Sequence, residues 1–247
     1  MIWLTWRQHR IEIFIMGIVL LLFATVLLVT GLNIVAEAQK VGATTSPCMS
    51  NHSPCFQAQA TLANYIYYHF MQNQAFYLIC MVLPLALPAL VGIFIGAPAI
   101  AREFEQGTYR LVWSQGIPWS RWSFRKIGLI TCAVLCAFAI LSGLFSWWNA
   151  PLMSLSIRQG NSDDFSTFFD NWGVVTVAYA LFALMLGIFA GTVLRKTVPA
   201  MALTLVIFVA VRLLIAGFWR PYYLPPVTVI APLNTAIQVP AGSWIIR

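Results

Sequence analysis

The sequence predicts an all-α bundle of helices that crosses a membrane several times. Of its 247 residues, 60% are hydrophobic and 9% are charged, and the mean hydropathy is +0.82. A soluble domain is usually about 25% charged, so this composition excludes an ordinary soluble enzyme. It also excludes a disordered chain, which needs far more polar surface. Five apolar stretches have the roughly 20 residues that a helix needs to cross a bilayer.

The five predicted spans share an almost complete lack of charge. Asp and Glu are absent from all five, and Arg212 in the fifth is their only basic residue. Because backbone polar groups in lipid must be satisfied within the segment, each stretch should be a helix. We expect the whole chain, residues 1–247, to be one transmembrane domain. Its spans are residues 13–34, 76–100, 127–147, 173–194 and 198–218.

The basic residues predict that the N-terminus is cytoplasmic. With that orientation the inner segments hold nine Lys and Arg residues and the outer segments hold four, as the positive-inside rule requires. The first apolar run has 22 residues, which is longer than the 7–15 apolar residues of a signal peptide. We therefore expect it to be a membrane span and not a cleaved signal peptide. The net charge of +7 is spread in short clusters between apolar runs. We therefore expect contact with membrane lipid and no nucleic-acid partner.

The connections between the spans differ in length. The outer segments are residues 35–75, 148–172 and 219–247, and the long inner connection is residues 101–126. The last outer segment is rich in proline and cannot form one long helix. The sequence does not decide whether a sixth span, returning inward, follows this segment.

Two cysteines lie close together in the first outer segment. Cys48 and Cys55 are seven positions apart, and a disulfide between them would persist outside the cell. Two free thiols in a flexible loop are the alternative. A metal site that also used His52 would lack a fourth ligand, so no metal site is predicted.

Two spans carry a G-x-x-x-G spacing near their inner ends. Gly92 and Gly96 lie in the second span, and Gly187 and Gly191 lie in the fourth. Small residues four apart let helix backbones approach closely. The two motifs indicate packing within one chain or a seam between two chains, and chance is the third reading because Gly is common in membrane helices.

Arg212 is the one charge inside a predicted span. An ionisable residue within the membrane is a functional-site hypothesis by default. Arg212 lies about two-thirds of the way outward along the fifth span. Its side chain could reach the outer interface, or it could face the translocation path or an outer carboxylate.

The inner connection carries the most informative motif. Its Glu-x-Glu-x-Gly-Thr pattern is followed by about two turns of predicted helix with apolar surface. The candidate coupling residues are Glu103, Glu105, Gly107, Thr108, Tyr109, Arg110 and Leu111. Two carboxylates beside a membrane are not needed for anchoring, so this segment favours contact with a partner.

This motif, after a second span rich in Pro and Gly, resembles the type-2 ABC transporter permeases. The start at residues 3–10 and the continuation at residues 110–122 are similar to bacterial members of that family. The resemblance implies a dimer of permeases with two cytosolic ATPase subunits, in which the inner loop is the coupling helix. It also implies export and a place in the bacterial plasma membrane. Six helices are usual in the family, and this chain offers five.

The residues predict which functions belong to this chain and which belong to the partner ATPase. No G-x-x-x-x-G-K-[ST] motif occurs, so ATP and Mg should be bound by the partner ATPase and not by this chain. No His and carboxylate share a catalytic spacing, and we predict that the chain is not an enzyme. The apolar spans suit a hydrophobic or amphipathic solute. The alternative is an ATPase-coupled sensor or scaffold that does not transport.

Overall fold

Five long apolar helices dominate the structure, a computed structural model that describes residues 2–42, 54–107, 119–159 and 173–219. These helices are long and apolar enough to cross a membrane. Each falls on one predicted span, which confirms the all-α polytopic bundle. The candidate spans are Phe14–Val41, Val82–Glu105, Phe124–Ala150, Val174–Leu194 and Thr197–Phe218. We keep the words inner and outer for the ends that the basic residues predict to be cytoplasmic and extracellular.

Seven α-helices and three π-helical turns make up the described chain. The helices are α1 (Ile2–Val41), α2 (Pro54–Ile66), α3 (Gln74–Val91), α4 (Ala97–Glu105), α5 (Trp119–Gln159), α6 (Val174–Leu194) and α7 (Thr197–Leu214). The π-helical turns are Tyr67–Met71, Gly92–Gly96 and Ile215–Trp219. The second span is thus α3 and α4, joined by a π-helical turn. The third span begins its helix at Trp119, so the basic residues of the inner connection from 121 onward belong to α5.

The second span departs from a regular helix at its middle. Pro84 and Pro88 lie inside α3, and each lacks the N–H that would bond to the preceding turn. The π-helical turn Gly92–Gly96 follows directly. A π-helical turn changes the register of the side chains after it and often marks a functional position.

The two glycine motifs pack against each other within the chain. A Cβ atom added to Gly187 would lie 2.2 Å from the carbonyl oxygen of Gly92, and one added to Gly191 would lie 2.5 Å from that of Ala97. In the other direction, a Cβ on Gly92 or Gly96 would lie 2.5 or 2.7 Å from a carbonyl oxygen of α6. The backbones of the second and fourth spans therefore touch. We call Gly92, Gly96, Gly187 and Gly191 the glycine seam.

The first and third spans pack through aromatic side chains near the outer end. The indole Nε1 of Trp148 donates a hydrogen bond of 2.9 Å to the Thr30 hydroxyl. Gly31 leaves room for the neighbouring ring, because its added Cβ would lie 2.5 Å from Trp147. The hydroxyl of Ser142 on α5 donates to the carbonyl oxygen of Gly173 at the start of α6. These contacts join α1, α5 and α6.

Helix α2 lies in the first outer segment. Leu62, Ile66 and Phe70 recur every four residues along it and its π-helical turn, and they are buried in the same apolar core as Trp148. Cys55 in its first turn is disulfide-bonded. Cys48 lies outside the described residues, so the pairing of the two cysteines stays a prediction.

Candidate functional site at the inner end

The Glu-x-Glu-x-Gly part of the motif forms the last turn of α4. The helix ends at Glu105, where the N–H of Gln106 donates to the carbonyl oxygen of Arg102 at 2.9 Å. Gly107 then adopts a left-handed backbone with φ of 68°, a conformation that glycine adopts without steric cost when it ends a helix. The motif therefore directs the chain out of the second span. The coupling residues Thr108, Tyr109, Arg110 and Leu111 lie outside the described residues, and their role stays a prediction.

Glu103 pairs with Lys126 across the inner end of the bundle. The Nζ atom of Lys126, in the second turn of α5, donates to Oε1 of Glu103. The Glu103 side chain is 12% exposed and the Lys126 side chain is 3% exposed. Breaking a buried ion pair by removing one of its members is strongly destabilising. The partner of Glu103 is thus a residue of α5 in the same chain.

Glu105 binds the first residue of the fifth span. Its Oε2 atom accepts the Thr197 hydroxyl at 2.5 Å and the Thr197 backbone N–H at 3.3 Å. Lys196, the residue before α7, makes no side-chain cap hydrogen bond. A carboxylate at a helix N-terminus satisfies N–H groups and complements the helix dipole. Lys196 and Arg102 also act on the Glu105 charge electrostatically.

Phe104, between the two glutamates, contacts the turn that joins the fourth and fifth spans. The guanidinium carbon of Arg195 lies 5.4 Å from the centre of the Phe104 ring, within cation–π range. Arg195 itself has a left-handed backbone with φ of 52°, so a link of only two residues joins α6 to α7. The last turn of α4 thus touches α5, the α6–α7 turn and α7. We call this cluster the inner junction, and its members are Glu103, Phe104, Glu105, Lys126, Arg195 and Thr197.

The sequence alone indicated only the two carboxylates of this junction. Lys126 is one of the nine basic residues of the inner segments, and its spacing from Glu103 in the sequence does not predict a buried ion pair. No sequence pattern pointed to Thr197, because the cap comes from a residue on another helix and leaves no motif in the local sequence. Within the residues that the structure describes, no group of three His, Cys, Asp or Glu side chains is placed to hold a metal ion.

Arg212 lies in the groove between the fourth and fifth spans. Its guanidinium carbon is 4.4 Å from the centre of the Tyr179 ring, a cation–π contact. Tyr179 in turn meets Phe208 edge-on, with ring centres 6.2 Å apart. This ring contact between α6 and α7 was not among the roles considered from the sequence.

The inner junction and the glycine seam lie in the part of the chain that matches a known protein family. A family model described as ABC-2 membrane transporter related matches residues 17–220, which include all of the inner junction and the glycine seam. The chain belongs to this family. This permease is therefore a multi-pass membrane protein and the transmembrane component of an ABC transporter. It works with ABC ATPase subunits, which are separate chains and carry the ATPase activity. No curated protein and no solved structure matches it.

Proposed function

We propose that this permease exports a hydrophobic or amphipathic solute, driven by ATPase subunits that dock on the inner connection at residues 101–126. The inner junction is the observation that carries this proposal. The last turn of α4 begins the inner connection and contacts three other parts of the bundle. A movement imposed on that connection therefore acts on the second, third and fifth spans together.

The nature of the solute is inferred from the spans. Long stretches without Asp or Glu offer little to an inorganic ion, which needs polar or charged groups along its path. The described spans instead expose large apolar side chains over much of their length. An amphipathic molecule such as a lipid, an apolar peptide or a drug is the solute that fits this surface.

The assembly and its orientation complete the proposal. Two permeases would form the path between them, with the N-terminus of each in the cytoplasm of a bacterial cell and the path crossing the plasma membrane. The excess of basic residues in the inner segments supports this orientation. The other inner connection, at residues 195–196, is too short to seat a large partner. The ATPase is therefore assigned to residues 101–126.

The test begins with the complex from the native membrane. A tagged permease is purified in mild detergent, and the bound proteins are identified by mass spectrometry. We expect a stoichiometric subunit with a P-loop, which is lost when Tyr109 and Leu111 are both changed to Ala. Lys40→Ala is the control, because this exposed side chain lies at the outer end of α1. A permease that carries no ATPase would refute the proposal.

Transport is then measured with inverted membrane vesicles and a fluorescent amphiphile. We expect ATP-dependent accumulation that stops when the P-loop lysine of the partner is replaced. An ATPase that binds and hydrolyses ATP without moving any of a panel of lipids, peptides and dyes would indicate a sensor or scaffold instead.

A further inference from the structure

We infer that Glu105 is a positioning residue that caps the fifth span from the second, and that the contact persists through the transport cycle. The role deepens the proposed function and depends on it, because it says how movement of the inner connection reaches the fifth span. Glu105 touches neither the solute nor ATP in this account. It acts by fixing the position of the inner end of α7.

The need for a cap at this position is physical. The first four N–H groups of a helix have no partner within it, and helix α7 starts at the inner end of a membrane span. The residue before it has an extended backbone (φ −130°, ψ 131°), and its own side chain makes no cap hydrogen bond. Glu105 Oε2 accepts both the N–H and the hydroxyl of Thr197. A side chain from the second span thus occupies the place where a local Ser, Thr or Asp usually serves.

The surrounding contacts explain why this cap would couple whole helices. The fourth span is held to the second by backbone contact along the glycine seam. The fourth and fifth spans are joined by a two-residue link whose Arg195 lies over Phe104. The Glu105 cap adds the direct connection between α4 and α7. The second, fourth and fifth spans are therefore fastened at one end, and a pull on the end of α4 moves the start of α7.

A second role for Glu105 competes with this one. The side chain is exposed and lies within the proposed docking segment, so it could contact the ATPase directly. The two roles make opposite predictions for Thr197, which shares the cap and not the docking contact. Removal of the Thr197 hydroxyl should match removal of the carboxylate only if the cap is what matters.

The experiment compares Glu105→Ala, Thr197→Val, the double variant and Thr197→Ser. ATPase co-purification, ATP hydrolysis and solute accumulation are measured for each. Loss of one helix cap shifts an equilibrium roughly fivefold. We expect each single variant to lower the solute moved per ATP about fivefold, with the ATPase binding and hydrolysis of Thr197→Val unchanged. The double variant should be no worse than either single one, and Thr197→Ser should retain transport.

Thr192→Val is the matched control. Its hydroxyl is bonded to the Phe189 carbonyl oxygen of its own helix at 2.7 Å, so its loss should leave transport per ATP unchanged. Loss of the ATPase in Glu105→Ala but not in Thr197→Val would overturn the inference in favour of docking. Unchanged transport per ATP in both variants would also overturn it. Absence of any ATP-driven accumulation in the unmodified protein would instead mean that the proposed function has failed.

A crosslink tests whether the contact persists. Glu105→Cys and Thr197→Cys are combined in a chain in which Cys80, Cys132 and Cys136, the free cysteines of the described residues, are replaced by serine. Before oxidation this variant should be uncoupled like Glu105→Ala, and formation of the disulfide should restore transport to within twofold of the unmodified chain. A disulfide that forms and blocks transport would show that the two ends must separate in each cycle, which contradicts the inference.

Discussion

Replacement of Gly187 by Ala should destabilise the bundle more than any other Gly→Ala change along the glycine seam. The added methyl group would lie 2.2 Å from the carbonyl oxygen of Gly92 and 2.8 Å from the backbone nitrogen of Ala97. Both atoms belong to the backbone, so no side-chain rotation relieves the overlap. The second and fourth spans must move apart by about 1 Å before the added methyl group reaches an ordinary van der Waals distance from these atoms.

The expected cost follows from that separation. A gap of about 1 Å forfeits about half of the dispersion energy of each atom pair, which is itself about 0.1–0.2 kcal/mol. Over roughly 40 atom pairs, as around one well-buried side chain, and with the lower value of about 0.1 kcal/mol for each pair, the loss is about 2 kcal/mol. This agrees with the usual cost of overpacking a core, about 1–3 kcal/mol. For a chain of this length it lowers the melting temperature by about 4–8 °C.

The assay is thermal unfolding of the detergent-purified permease, followed by intrinsic fluorescence. Gly143→Ala is the matched control, because, beyond the adjoining residues and nearby backbone of its own helix, no atom of the described residues lies within 4 Å of its added Cβ, and alanine is the better helix former. The graded distances predict that Gly191→Ala is less damaging than Gly187→Ala, and that Gly96→Ala is the mildest of the three. Equal melting temperatures for Gly187→Ala and Gly143→Ala would refute the close packing of the two spans.

Three further predictions concern polar contacts. Lys126→Met should destabilise the protein by about 3 kcal/mol, because it removes the cation paired with the buried Glu103 carboxylate, and adding Glu103→Leu should recover most of the loss in the same unfolding assay. Trp148→Phe should cost about 1 kcal/mol through the lost hydrogen bond between α5 and α1, and an unchanged melting temperature would argue against that bond. Tyr179→Leu should cost about 1 kcal/mol through the lost cation–π contact with Arg212, whereas Tyr179→Phe, which keeps the ring, should not; equal losses would point to the hydroxyl.

The sequence was sufficient to predict the spans and the fold class, because both depend on local composition. A run such as residues 173–194, with no charge over a bilayer's thickness, has no stable alternative to a helix in lipid. The structure places α6 at Val174–Leu194, within one residue of that prediction.

The partners of the charged residues were not predictable in the same way. Glu103 and Lys126 are 23 positions apart, and Glu105 and Thr197 are 92 apart. Which residues meet depends on how the helices pack, and one sequence carries no direct record of that packing. The glycine motifs limited the choices by indicating close approach, but they left a contact between two chains open as an alternative. Only the three-dimensional arrangement showed that they face each other within one chain.

The two carboxylates of the motif differ in a way that matters for coupling. Glu103 is buried against a cation on the third span, and breaking that pair is costly. Glu105 is exposed and caps the fifth span through hydrogen bonds that are worth less. A single turn of helix thus holds its two neighbours with unequal strength. If the inner connection is where ATPase movement enters, the third span is bound the more tightly to α4, and the fifth span is the one whose attachment a conservative substitution can weaken without unfolding the bundle.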